Sequence, residues 1–256
     1  CSKSLRIFVV TVPIGVIDEK TIAQICKMPQ GLEVMYLISV GNTPEKPRLQ
    51  TLIPAVGAYQ QPSAGAALSS KKVAIIIPSK YFNDADFYGI EQALVKEGIQ
   101  PVIASTELGE VKGIQISGIQ RNILTPKVLV RNLKAEDFDA FVFVGGTSSS
   151  GNYLTNRGII DLIRAAYSAN KILAAIAEAP GLFANADIIR GKNVTSATSQ
   201  RYRMIQAGGK WDRNPLVVDG NILTAGQSPV TSTNPGSAGV ADRLGTAVIS
   251  ALRTQK

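Results

Sequence analysis

The chain has 256 residues, 45% apolar and 18% charged, which is the composition of a folded globular protein rather than a disordered one. Its net charge is +8, but the basic residues are scattered and no arginine-rich helix indicates a nucleic-acid partner. Histidine is absent and the cysteines are Cys1 and Cys26, which excludes a histidine-based triad and predicts neither a metal site nor a cofactor.

The first residue, Cys1, has three interpretations that the sequence leaves open. It is the lipid-bearing cysteine of a bacterial lipoprotein, with Ser2–Ser4 as a polar tether, or an N-terminal nucleophile, or an arbitrary fragment boundary. The first interpretation attaches the chain to a membrane surface in the cell envelope, outside the cytoplasm. Without a lipid on Cys1, a cytoplasmic location is expected.

Residues 1–45 are predicted to form a strand, a helix and a second strand. The strands cover residues 5–13 and 33–40, and Asp18 begins the helix between them. A unit of this size cannot bury both of its faces, so it is expected to pack on something else. Residues 46–70 are rich in Pro, Ala and Ser and are predicted to be an extended linker.

From Lys71 to the last residue, apolar strand-like runs alternate with amphipathic helical ones. This alternation predicts an α/β domain over residues 71–256, with a parallel sheet and helices on both faces. The expected strands are 73–78, 101–105, 138–146 and 171–177, with a strand pair within 109–133, a short extended piece at 193–196 and a hairpin at 216–224; the expected helices are 84–97, with Asp84 and Asp86 as caps, and 155–169, 180–188 and 237–253.

The stretch Lys171–Pro180, K-I-L-A-A-I-A-E-A-P, reads as a buried strand, a tight turn and a helix start. In an α/β fold such a corner presents one side chain above the carboxyl ends of the strands, and a nucleophile is often placed there. Here that side chain is Ala177, which has no nucleophilic atom.

Four motifs stand out in this domain: P-S-K-Y-F-N-D-A-D-F at 78–87, V-G-G at 144–146, A-I-A-E-A-P at 175–180, and R-G-K-N-V-T-S at 190–196 followed by V-V-D-G-N-I-L-T. Together they resemble the DJ-1/PfpI superfamily, which has a flavodoxin-like fold related to class I glutamine amidotransferases. The resemblance implies that the family's nucleophilic cysteine aligns with Ala177, its following histidine with Glu178, and its thiol-tuning glutamate with Asn83.

Residues 5–45 also resemble the C-terminal tail of nitroreductase-like flavoproteins, in which a helix, a P-x-G turn and a strand ending in V-G close the molecule. The rest of that fold is missing, so the resemblance implies no flavin site. It implies an added strand that completes the sheet of a partner or of a second copy.

Two functional hypotheses follow. The sequence leaves open whether the chain is an enzyme, and it favours the hypothesis that it is not. In the first, the site at Asn83, Ala177 and Glu178 is degenerate, and the chain is a pseudoenzyme that binds or assembles, with homo-oligomers forming through the N-terminal segment and linker. Its pocket would also serve a small-molecule or anion sensor. In the second, Glu178 supports relocated hydrolase or glyoxalase-like chemistry with Tyr81, Tyr202 or Ser199. The residues expected to bind a ligand are Gly145 and Gly146, through their backbone amides, and Arg201.

Overall fold

A computed structural model describes residues 66–113, 123–146, 152–226 and 239–255. The predictions for Cys1, for the strand–helix–strand segment and for most of the linker lie outside these ranges, and so does the resemblance to nitroreductase tails. Within the predicted linker, Ala66–Ser69 forms one helical turn (α1), and Leu68 is buried in the core.

A seven-stranded sheet is the centre of the described part of the chain. Its strands are β1 (Val73–Ile76), β2 (Val102–Ser105), β5 (Val128–Leu129), β6 (Ala140–Phe143), β7 (Ile172–Ile176), β10 (Leu216–Asp219) and β11 (Ile222–Ala225). They lie in the order β10-β11-β7-β6-β1-β2-β5. All neighbouring strands are parallel except β10, which pairs antiparallel with β11 at one edge.

Two short strand pairs accompany the sheet. The antiparallel pair β3 (Val111–Lys112) and β4 (Ile123–Leu124) agrees with the strand pair predicted within 109–133. The parallel pair consists of β8 (Asn193–Val194) and β9 (Lys210–Trp211).

Helices cover both faces of the sheet, as predicted. Side chains of the central strands are buried on both faces, and this explains their continuous apolar runs. One face packs on the helices α3 (Arg157–Ser168), α4 (Pro180–Asn185) and α5 (Arg201–Gln206); the other packs on α2 (Asp84–Lys96) and α6 (Val240–Thr254).

The strand register brings four loops together at the carboxyl ends of the parallel strands. Ile76 lies beside Phe143 and Ile176 beside Ala225, so β1, β6, β7 and β11 end at a similar level. Because these four strands are adjacent and parallel, the loops at their carboxyl ends converge, and such a convergence is where ligands bind in open α/β sheets.

Helices α2 and α6 approach each other closely because small residues line their contact. A Cβ atom on Gly245 would lie 2.7 Å from the Cβ of Ala93 and 3.4 Å from the Cα of Ile90. A Cβ atom on Gly89 would lie 2.8 Å from the Cβ of Ala241. The contact between the two helices therefore leaves no room for a methyl group at either glycine.

Gly245→Ala should lower the free energy of unfolding by about 1–2 kcal/mol, because overpacking outweighs the better helix propensity of alanine. The control is Gly158→Ala on the exposed start of α3, where a Cβ would meet only the Asn156 side chain, at 3.3 Å. That variant should change stability by no more than about 0.5 kcal/mol. Urea unfolding measures both, and an equally stable Gly245→Ala protein would contradict the packing described.

Candidate functional site

Ala177 lies in the turn after β7 with its backbone in the left-handed region, at φ +61°. This conformation costs a residue with a side chain about 1–2 kcal/mol. Two backbone hydrogen bonds fix it: the Ala177 N–H donates to the Ala225 carbonyl at 3.1 Å, and the Ala197 N–H donates to the Ala177 carbonyl at 2.8 Å. The structure thus forms the sharp corner that the sequence predicts, with a fully buried methyl group where a nucleophile would stand.

Gly145 lies against this corner from the β6 side. A Cβ atom on Gly145 would be 2.9 Å from the backbone nitrogen and Oε2 of Glu178, and 3.0 Å from the Cβ of Ala177. The close approach of the two backbones requires glycine here. Gly146 is equally confined, because its Cβ would lie 3.1 Å from the Pro78 Cγ and would also meet the Tyr81 carbonyl oxygen.

Asn83 joins the corner to helix α2. Its N–H donates to the Gly145 carbonyl at 3.0 Å, and its side-chain Oδ1 accepts from the Asp86 N–H at 3.3 Å. The prediction that Asp84 and Asp86 cap this helix is wrong, since Asn83 is the N-cap and both aspartates lie in the first turn. Asn83 has the extended backbone that an N-cap requires, and a side chain engaged in this way is a structural element of the loop.

Glu178 is half-buried beside Ala177, and its carboxyl group lies against the backbone of Gly145 at the corner. Helix α4 begins at Pro180 with Ala179 as its N-cap residue, so Glu178 precedes the helix without capping it. Burial raises the pKa of the Glu178 carboxyl group above the usual glutamate value, and a hydrogen bond from its own backbone N–H partly opposes this rise.

Arg201 lies on the other side of the corner, in a groove that we call the arginine groove. The groove has a volume of about 460 Å³, and Gly145 and Gly146 are not among its lining residues. The Arg201 guanidinium carbon is 5.1 Å from the centre of the Trp211 ring. The residues that characterise the arginine groove are Ser196, Thr198, Arg201, Trp211, Arg213 and Asn214.

The side chains predicted to assist Glu178 are dispersed. Tyr202 lines a different cavity from its neighbour Arg201, of about 410 Å³, and its hydroxyl group accepts from Gln206 Nε2 at 2.6 Å. Ser199 is exposed, whereas Tyr81 lies in the loop beside Gly146 with 43% of its surface exposed. Of the three, only Tyr81 is connected by these contacts to the corner that carries Glu178.

Two residues of the arginine groove, Trp211 and Arg213, were not singled out by the sequence analysis. They stand ten or more positions after Arg201 and belong to no motif of the resemblance. One signal was present, because Trp211 is the only tryptophan in the chain and is followed by charged and polar residues.

The described residues contain no group of three or more His, Cys, Asp or Glu side chains able to hold a metal ion. In the same ranges, no helix has both the length and the apolar character needed to cross a membrane.

The predicted family resemblance is confirmed by comparison with known proteins. The model of the DJ-1/PfpI family matches residues 71–234. An uncharacterized protein of Methanocaldococcus jannaschii is 29% identical over 160 residues, which are 62% of this chain and 76% of the relative. A deglycase of Pyrococcus horikoshii is 29% identical over 151 residues, which are 59% of this chain and 87% of the deglycase.

Solved structures confirm the flavodoxin-like fold. A ThiJ/PfpI domain protein from Brachyspira murdochii matches with a TM-score of 0.63 at 22% identity, over 72% of this chain and 98% of its own. A DJ-1 mutant of Schizosaccharomyces pombe matches with a TM-score of 0.57 at 16% identity, over 72% of this chain and 92% of its own. At these identities the likeness concerns the fold alone.

The raised pKa of Glu178 predicts how stability depends on pH. The folded chain holds this proton more tightly than the unfolded chain, so its stabilising contribution is complete below the ordinary glutamate pKa and is lost as the pH rises through the raised value. Glu178→Gln cannot ionise, so its stability relative to the unmodified protein should increase as the pH rises above the ordinary glutamate pKa. Urea midpoints at a series of pH values below and above that pKa measure the difference.

Glu136→Gln is the control for the loss of one carboxylate, because Glu136 is exposed on the surface. The urea midpoint of Glu136→Gln should depend on pH in the same way as that of the unmodified protein. If the urea midpoints of Glu178→Gln changed with pH in parallel with those of both other proteins, the half-buried Glu178 carboxyl group would not be the cause of the pH dependence.

Proposed function

We propose a non-catalytic binding role for this chain, which belongs to the DJ-1/PfpI family. The observation that carries the proposal is Ala177: its backbone keeps the left-handed turn at φ +61°, yet its side chain is a fully buried methyl group. A thiolate is the reacting species of cysteine chemistry, and a methyl group cannot replace it.

The surroundings of Ala177 also disfavour a thiolate. The Glu178 carboxyl group and the Ala177 Cβ both lie within 3.0 Å of the point where a Cβ on Gly145 would be. The two groups are therefore at most about 6 Å apart. An ionised carboxylate within this distance raises the pKa of a thiol, since two negative charges repel each other. Restoring cysteine at position 177 would therefore produce a thiol that ionises reluctantly.

Asn83 supports the same conclusion. The family resemblance implies a carboxylic acid at this position, whereas Asn83 caps helix α2 with Oδ1 and donates its N–H to Gly145. An amide has no proton to gain or lose at ordinary pH, so it cannot tune an ionisable group as a carboxylic acid does. The converging loops still have closely packed backbone segments and an adjoining groove, and both features suit binding.

Turnover assays test the proposal. The purified chain should not hydrolyse glycated amines or peptides or convert methylglyoxal above the uncatalysed rate, because no nucleophile stands at the corner. The deglycase of Pyrococcus horikoshii, measured on the glycated amines, shows that the assay detects that activity. Turnover by this chain at a rate typical of enzymes would overturn the proposal.

A second candidate function is a hydrolase or glyoxalase-like activity with Glu178 as general base. The observation that favours it is the burial-raised pKa of Glu178, because a carboxylate with a pKa nearer neutrality is a better proton acceptor. In that case Glu178→Gln should abolish turnover. Equal rates in the variant and the unmodified chain would exclude it.

The electrostatic argument predicts the reactivity of a restored thiol. The Ala177→Cys thiol should have a pKa above that of an ordinary cysteine, and adding Glu178→Gln should lower it and speed alkylation at least several-fold at pH 7–8. The rate of reaction with iodoacetamide as a function of pH measures both. Identical pH profiles for the single and double variants would show that the carboxylate does not influence the site.

The proposal extends to assembly and tethering through residues that lie mostly before the described ranges. We propose homo-oligomers that form through residues 1–45 and the linker, and a lipid on Cys1 that holds the chain at the cell envelope. The intact mass of the chain from its native source tests the lipid, and light scattering during gel filtration tests the oligomer. A bare polypeptide mass and a monomer would overturn these two parts without affecting the argument from Ala177.

A further inference from the structure

The arginine groove has a rim that carries positive charge without a matching carboxylate. Arg201 and Arg213 line it, and the lining contains no acidic side chain. The five ion pairs in the described part of the chain do not include either arginine. Asp212, next to the groove, accepts the Asn214 N–H with Oδ1 at 2.9 Å.

The floor of the arginine groove is polar and internally hydrogen-bonded. The buried Ser196 hydroxyl group accepts from the Trp211 indole N–H at 3.0 Å and donates to the Ala197 carbonyl at 2.9 Å. Thr195 Oγ1 donates to the Asp212 carbonyl at 2.9 Å. These bonds fix the Trp211 ring.

The fixed ring in turn restrains Arg201, whose guanidinium group lies over it at 5.1 Å. A guanidinium group held on an aromatic face loses less conformational freedom when it binds a ligand, and it offers paired N–H donors that match a carboxylate or phosphate. The volume of about 460 Å³ is within the range of small-molecule sites.

We infer that the arginine groove binds a small organic anion bearing a carboxylate or phosphate group, held by Arg201 and Arg213. This inference rests on the proposed binding function and identifies its ligand class. The anion would lie directly beside the corner, since the Ala197 N–H donates to the Ala177 carbonyl and Gly226 follows Ala225, which accepts the Ala177 N–H.

Fluorescence gives a direct test, because Trp211 is the only tryptophan in the chain and its ring forms part of the groove. The full chain is titrated with sodium succinate and with sodium phosphate in a low-salt buffer, and calorimetry confirms the affinities. At least one anion should change the Trp211 emission saturably. Arg201→Gln and Arg213→Gln should each weaken its binding about tenfold or more, which is the effect of one charge-assisted hydrogen bond.

Arg131→Gln is the matched control, because it removes the same charge from an exposed site just after β5, at the opposite edge of the sheet. Its affinity should stay within about twofold of that of the unmodified chain. Arg201→Lys keeps a charge on Trp211 and should bind with intermediate affinity, which provides a second measurement should a glutamine variant fail to fold.

The two anions distinguish the two classes of ligand. Tighter binding of succinate assigns a carboxylate ligand, and tighter binding of phosphate assigns a phosphate ester. Absence of saturable binding by both, or equal weakening in all three glutamine variants, would overturn the inference. These outcomes are separate from those of the turnover assay. Turnover abolished by Glu178→Gln would overturn the non-catalytic role, whereas arginine-dependent binding would still stand.

Discussion

The left-handed backbone of Ala177 is the constraint around which the converging loops are arranged. Its N–H donates a hydrogen bond to the Ala225 carbonyl, and its carbonyl accepts one from the Ala197 N–H. These two bonds join the ends of β7 and β11 to the loop that follows β8. They hold in place a conformation that costs an alanine about 1–2 kcal/mol by itself. The sheet register places Ala225 beside Ile176, so the end of β11 lies next to the residue that precedes this turn.

Close packing at this corner explains several residues that a catalytic description would treat separately. Gly145 has no side chain because the backbone of Glu178 occupies the space. Asn83 links the same glycine to the start of α2 through a backbone bond, and its side chain caps the helix. Glu178 is pressed against this assembly and is half-buried as a result, which raises its pKa. The corner therefore packs together the four loops that follow β1, β6, β7 and β11, and it is also a candidate site.

Local patterns predict the α/β sheet and the corner, because strands buried on both faces leave continuous apolar runs and a tight turn leaves small residues, whereas the flavodoxin-like fold is implied by the family resemblance. The Asp-Gly hairpin of β10 and β11 and the alternation of strands and helices agree with the structure for this reason. The predicted cap of α2 is wrong, since Asn83, Asp84 and Asp86 are all suitable caps and only the loop path selects among them. The local sequence does not predict the arginine groove, because the contact of Trp211 with Arg201 depends on how β9, paired with β8, lies against the start of α5.

The arginine groove gives a physical reason for a strained corner that lacks a nucleophile. The loop that contains Ser196 and Ala197 is fastened to Ala177 by a hydrogen bond of 2.8 Å, and the same loop carries the Ser196 hydroxyl group that fixes Trp211. Relaxing the backbone of Ala177 would release Ala197 and Ala225, and with them the floor and one wall of the groove. The backbone of Ala177 is thus connected to Trp211 by hydrogen bonds through Ala197 and Ser196, and Trp211 in turn contacts Arg201 through its ring. The binding function proposed for the groove would require this backbone geometry whether or not the side chain at position 177 can react.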